Sequence, residues 1–213
     1  MRLKECLMPL SATCGGLLSP RDILAVLVGF PSISSSSNLD LVAWVEGYLA
    51  SHDIRAHRFY NEDGSKAAIF AHVGPDQAGG VLLSGHSDVV PVDGQVWRSD
   101  PWVLTEEAGR LYGRGACDMK AFDALAIWAM VEARRRGVNR PLQLALSYDE
   151  EPGCLGAPPM IEAMIQVLPQ ASVAIIGEPS RMACVTAHKG GVGFRVDVTG
   201  VAMHSSLLPD SVW

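Results

Sequence analysis

Histidine and acidic residues gather at four places in the sequence, three of them directly after an apolar run. The first is Gly85-His86-Ser87-Asp88, following Val81-Leu82-Leu83. An imidazole nitrogen of His86 could bind a metal, and Asp88, two residues on, could accept the other ring N–H and fix the tautomer. An ordinary strand-end histidine with a polar neighbour is the simpler alternative. The second is Gly113-Arg114-Gly115-Ala116-Cys117-Asp118-Met119-Lys120, where two glycines allow a tight path. Asp118 then stands where a long helix begins, so it could cap that helix. Its two carboxylate oxygens could equally bridge two metal ions. Cys117 has no partner cysteine nearby and reads as packing.

The third cluster is Tyr148-Asp149-Glu150-Glu151. Three consecutive acids repel one another unless they are solvated or neutralised by cations. Two metal ions would relieve the repulsion and leave one carboxylate free as a base; a solvated acidic loop is the alternative. The fourth is Gly177-Glu178-Pro179-Ser180. In open α/β sheets, ligands bind at the carboxyl ends of strands, and the first, third and fourth clusters occupy such places.

The elements that must position these groups follow from periodicity. Helices are expected over 20–30 and 38–52, the second with Leu41, Trp44, Val45, Tyr48 and Leu49 facing a core. The serines at 34–37, or Asn38, could cap the second helix. Strands are expected over 66–72, 80–85, 141–147 and 172–176, the run at 80–85 and the last one buried. Further helices are expected over 119–136 and 158–167. Arg134-Arg135-Arg136 closes the longer of these, where positive charge answers the partial negative charge of a helix C-terminus. Strands alternating with helices give an α/β fold, a layered mixed-sheet domain over 1–183. Beyond Cys184 the run Phe194 to Thr199 alternates apolar and polar residues, as a half-exposed strand of an incomplete α+β domain over 184–213 would.

Bulk properties exclude several classes. The chain has 213 residues and a net charge of −6, without the basic clusters of a general nucleic-acid binder. No apolar run approaches the ~18 residues of a membrane span. Glu5 and Pro9 interrupt the start, which argues against a signal peptide. Five cysteines with no C-x-x-C pair suit reduced thiols in the cytoplasm.

Taken together, the clusters resemble the M20 family of co-catalytic metallopeptidases and deacylases, from about Pro20 onward. The runs from Gly85 to Gln95 and from Tyr148 to Pro158, with Trp97, Ser99-Asp100-Pro101 and His188-Lys189-Gly190, are similar to the acetylornithine deacetylases within it. The resemblance implies a fold of the zinc-exopeptidase type and two zinc ions, with cobalt as a substitute. It implies that His86 and Glu178 bind one metal, Asp118 bridges both and Glu151 binds the other. Glu150 would be general base and then acid, and Asp88 would orient His86. His204, in Gly200-Val201-Ala202-Met203-His204-Ser205-Ser206, resembles a lid histidine that stabilises the oxyanion in the partner subunit's site; a surface-loop histidine is the alternative. The implied substrate is a small N-acylated amino acid, N2-acetyl-L-ornithine of arginine biosynthesis, with no nucleic acid or membrane partner. A desuccinylase, an aminoacylase or a dipeptidase would share the metal site.

The sequence also departs from the family pattern. Members are longer, complete a dimer-forming lid and supply a later histidine to the second metal. The six histidines here, at 52, 57, 72, 86, 188 and 204, include none in that context, and Pro152 follows the glutamate pair in place of a small apolar residue. The expectation is therefore a fragment of a working hydrolase, or a chain that binds metal without turnover, lacking most of the dimer interface.

Overall fold

A computed structural model describes residues 16–200, except 188 and 191. The chain divides after Arg181 into two compact units. In the first, eleven elements run in the order α1 (Pro20–Val28), α2 (Leu39–Ala50), β1 (Ala56–Tyr60), β2 (Ala67–Val73), β3 (Val81–His86), β4 (Thr105–Glu107), β5 (Arg110–Tyr112), α3 (Lys120–Arg136), β6 (Leu142–Ser147), α4 (Ala157–Met164) and β7 (Val173–Ile176).

Local chemistry sets several boundaries. Ser19 and Asp22 form a reciprocal capping box at the start of α1, with Pro20 in its first turn. Asn38 precedes α2 but makes no side-chain cap; its amide instead donates to the Ala67 carbonyl at 2.8 Å and to Ser87 Oγ at 2.9 Å. Asp118 does not cap α3 either, because the helix starts at Lys120 with Met119 in the capping position.

Five strands form one mixed sheet in the order β1-β2-β6-β3-β7. The β1–β2 and β2–β6 pairs are antiparallel, and β3 lies parallel to both β6 and β7. Alternation along β2 and β6 splits the core in two. Ala67, Ile69, Ala71, Val73, Leu144 and Leu146 join the core that contains α1, α2 and α3. Ala68, Phe70 and Ala145 pack with Met160 and Met164 of α4 on the other face. The α/β mixed-sheet class expected from the sequence is thus observed.

Two burial expectations are corrected. β7 is an edge strand exposed along its whole length, Ile176 being 66% accessible, because no strand pairs with its outer side among the described residues. β3 is half-buried over Val81–Ser84 and closes only at Gly85 and His86. Three strands went unforeseen: β1, which is half-exposed, and the short β4–β5 ribbon. In the second unit, the described residues 182–200 form no helix or strand. The strand expected over 194–199 is therefore not formed there, since no described neighbour takes its backbone groups. No helix among the described residues is long and apolar enough to cross a membrane.

Candidate metal centre

Strand ends bring the first group in. β3 and β6 run parallel in register, so His86 lies opposite Ser147 and both end at the same edge of the sheet. Ser87 continues the contact, its N–H and hydroxyl each donating to the Ser147 carbonyl at 2.9 Å. The turn after Ser147 delivers Glu150 and Glu151 beside His86. β7 ends one residue before Gly177, whose N–H donates to the Ser84 carbonyl at 3.2 Å. A side chain could not replace that glycine, because a Cβ would stand 1.9 Å from the Phe122 ring. Gly177 thereby lets α3 pack under the strand end that carries Glu178.

The imidazole of His86 is buried, and its Nε2 faces three carboxylates. Asp118 Oδ1 lies at 3.3 Å, Glu150 Oε2 at 3.8 Å and Glu178 Oε1 at 3.9 Å. One ligand atom from each of His86, Asp118 and Glu178 falls within 4.8 Å of the others. Two ligands of a tetrahedral zinc with bonds of about 2.1 Å stand roughly 3.4 Å apart, so the spacing and the mixed nitrogen and oxygen donors fit a divalent cation. Glu151 joins no such three-ligand group among the described residues. Its carboxyl is raised by partial burial and then by the charge of Asp118. Glu178 is raised for the same two reasons. Mutual repulsion of this kind is what a bound cation relieves.

Asp88 does more than orient the imidazole. His86 Nδ1 lies 2.9 Å from the Asp88 backbone carbonyl and 3.4 Å from its Oδ1, so the main chain makes the shorter contact. The Asp88 carboxylate accepts the Ser34 hydroxyl at 2.6 Å and the N–H groups of Glu150 at 3.1 Å and Glu151 at 3.3 Å. It therefore ties the acidic loop to the end of β3. Burial opposes its charge, but the His86, Ser34 and Glu150 contacts outweigh this and hold its carboxyl low. Lys66 Nζ braces the same loop, donating to Asp149 Oδ1 at 2.6 Å and to the Ser34 carbonyl at 2.5 Å. For His86 itself, burial works against the charged ring; Asp88, Asp123 and Glu150 prevail and push it up to about 10.

Two buried ionisable groups lie beneath the cluster, and sequence reasoning gave neither a role. Lys120 is fully buried, and its ammonium donates to the carbonyls of Leu27 at 2.9 Å and Phe30 at 2.8 Å. Burial pulls it down to about 7 against the charges of Asp123 and Asp88. Asp123 is also buried; its Oδ1 lacks a hydrogen-bond partner, and burial pushes its carboxyl well up. Gly85 makes room for it, since a Cβ there would stand 2.2 Å from that oxygen. Their spacing, three apart on the apolar face of α3, was the available signal.

His204, expected as a lid histidine, lies outside the described residues.

Comparison with known proteins agrees with this geometry. The profile of Peptidase family M20/M25/M40 matches residues 82–207. The chain is 36% identical over 189 residues to an acetylornithine deacetylase of Pasteurella multocida, covering 85% of this chain and 48% of that one. It is 38% identical over 196 residues to one from Myxococcus xanthus, covering 90% and 50%. The chain thus spans about half the length of the curated relatives it matches. Human carnosine dipeptidase 1 superposes with a TM-score of 0.64 at 25% identity, covering 75% of this chain and 38% of that one. An M20 family metallo-carboxypeptidase from Sulfolobus solfataricus gives 0.65 at 22%, covering 75% and 37%, and so shares the fold. From the profile match and the relatives together, the chain belongs to peptidase family M20/M25/M40.

Proposed function

We propose that this chain carries most of the active site of a metal-dependent amide hydrolase. Its substrate would be N2-acetyl-L-ornithine, cleaved to L-ornithine and acetate in arginine biosynthesis in the cytoplasm. The observation that carries the reading is one imidazole edge met by three carboxylates within 3.9 Å. Similarity to acetylornithine deacetylases supports the substrate, and the free cysteines at 117, 154 and 184 suit a reducing compartment.

In this reading His86, Asp118 and Glu178 would hold one zinc ion, and Asp118 with Glu151 would serve a second; cobalt could replace zinc. A bound ion would polarise the amide carbonyl and acidify water. Glu150, with Oε2 turned to the cluster, accepts a proton as water oxygen bonds to the acyl carbon. It returns that proton to the amine nitrogen as the carbon–nitrogen bond breaks. Asp88 holds the metal-binding imidazole through its main-chain carbonyl and the Glu150 main chain through its carboxylate. A lid histidine, His204, would stabilise the oxyanion across a homodimer of a longer polypeptide.

A second reading is favoured by one observation. Asp118 and Glu151 offer only two protein groups to the second ion, with no third among the described residues. The chain would then bind one metal without turnover.

The deciding experiment measures metal content and hydrolysis of N2-acetyl-L-ornithine by the 213-residue chain with zinc or cobalt supplied. Glu150→Gln is expected to keep its metal and lose turnover, and Asp118→Ala to lose the metal. Near-normal turnover by Glu150→Gln would remove Glu150 as the base. Metal uptake without hydrolysis in the unaltered chain supports the second reading. Preference for N-succinyl-diaminopimelate or a dipeptide would sink the substrate assignment.

A further inference from the structure

We propose that Cys154 is a positioning residue for Glu150, its thiol holding one carboxylate oxygen so that the other stays turned to the metal cluster. The inference rests on the reading of Glu150 as the proton carrier.

The loop after β6 is built to bring the two side chains together. The Glu150 carbonyl accepts the N–H groups of Gly153 at 2.8 Å and Cys154 at 2.7 Å, and the Asp149 carbonyl accepts that of Leu155 at 2.8 Å. Cys154 has a φ of 57°, in the left-handed region that few residues other than glycine adopt. In this conformation its thiol turns back and donates to Glu150 Oε1 at 3.2 Å. The other oxygen, Oε2, lies 3.8 Å from His86 Nε2. The two oxygens of one carboxylate are thereby given different neighbours.

Such a device answers a specific problem. The last torsion of a glutamate is broad, so a half-exposed carboxylate swings widely about it unless one oxygen is held. The Glu150 main chain is held through its N–H on Asp88, but that contact leaves the end of the side chain unguided. A thiol is a weak donor, able to choose an orientation without competing strongly for the lone pair that must take up a proton. The hydrogen bond to Glu150, and then burial, raise the Cys154 thiol, so near neutral pH it remains an S–H donor. Cys117, also exposed, has no such carboxylate contact and serves as an internal reference.

The test uses the zinc-loaded 213-residue chain and two readouts. First, iodoacetamide alkylation at neutral pH is followed peptide by peptide. Glu150→Gln should speed modification of Cys154 several-fold and leave Cys117 unchanged, because the negative acceptor is gone. An unchanged Cys154 rate overturns the inference. Second, steady-state hydrolysis of N2-acetyl-L-ornithine is compared across variants. Cys154→Ala should lower kcat several-fold at constant KM and constant zinc content, with Cys154→Ser restoring most of it. Unaltered kcat in Cys154→Ala, or serine no better than alanine, overturns it as well. A chain that shows the alkylation effect but hydrolyses nothing supports the reading without turnover, which removes the positioning role and leaves only the contact.

Discussion

Strands β6 and β7 each lead to a carboxylate of the same cluster, yet their surroundings are opposite. β6 sits inside the sheet with Gln143–Ser147 buried, and the loop that follows is tied by Asp88 and Lys66. β7 touches one strand only and exposes every residue. Beside it, a groove of about 530 Å³ opens between Leu82, Met164, Leu168 and Val173, at the end of the strands away from the ligands. Glu178 is therefore placed by close approach over the Phe122 ring, and the glutamate pair by hydrogen bonds to the buried Asp88 carboxylate. One cluster can thus combine groups fixed by a finished core with a group fixed by a single tight contact.

The comparison can be broken at several depths. Leu144→Ala, at a wholly buried position of β6, should cost about 3 kcal/mol in urea unfolding. Ile176→Ala on β7 should stay within about 0.5 kcal/mol. Equal losses would show that β7 is covered in solution and end the contrast.

Next comes the clamp. Asp88→Ala leaves the Glu150 and Glu151 N–H groups and Ser34 without their acceptor. Zinc affinity, measured by competition with a chelating dye, should fall by roughly 10- to 100-fold. Unchanged affinity would mean the loop holds itself. Gly177→Ala forces the Phe122 ring away from the end of β7, and about a tenfold loss of zinc is expected with a smaller change in stability. A Gly177→Ala variant with normal zinc binding would free Glu178 from the role given to it here.

A further effect is graded by pH. With no metal bound, His86 keeps its proton up to about pH 10, so zinc must displace it. Affinity should strengthen from pH 7 to 9, and calorimetry in buffers of different ionisation enthalpy should show the released proton. Stability runs the other way. The folded value lies above the ordinary 6.5, so this contribution is complete below pH 6.5 and fades as pH rises through about 10.

Much of this architecture was legible because its signals are local. Apolar runs followed at once by His86, Glu150 or Glu178 mark strand ends, and α3 announces itself through seventeen residues with no glycine or proline. Less legible was whatever depends on distant neighbours. Ser34 suggested a helix cap, yet its hydroxyl serves Asp88, 54 positions away. Asn38 suggested the same and braces Ala67 and Ser87 instead. Val173 to Ile176 has the composition of a buried strand, and composition cannot say that no described strand covers its outer side. The ribbon of β4 and β5 is too short and too exposed to leave a hydrophobic pattern. Lys120 and Asp123 were hidden for the opposite reason, being charged side chains on a face that packing rules assign to apolar ones.

The Lys120 ammonium has a consequence for anyone who would shorten this protein. It grips the carbonyl of Leu27 in the last turn of α1 and that of Phe30 just beyond the helix, from a position two residues after Asp118. An N-terminal trim that removes α1 would strand a buried cation beside the metal-binding turn, although the cut lies some ninety residues upstream. Residues 20–30 therefore belong to any minimal catalytic module, and affinity tags or split-protein junctions should be placed outside them.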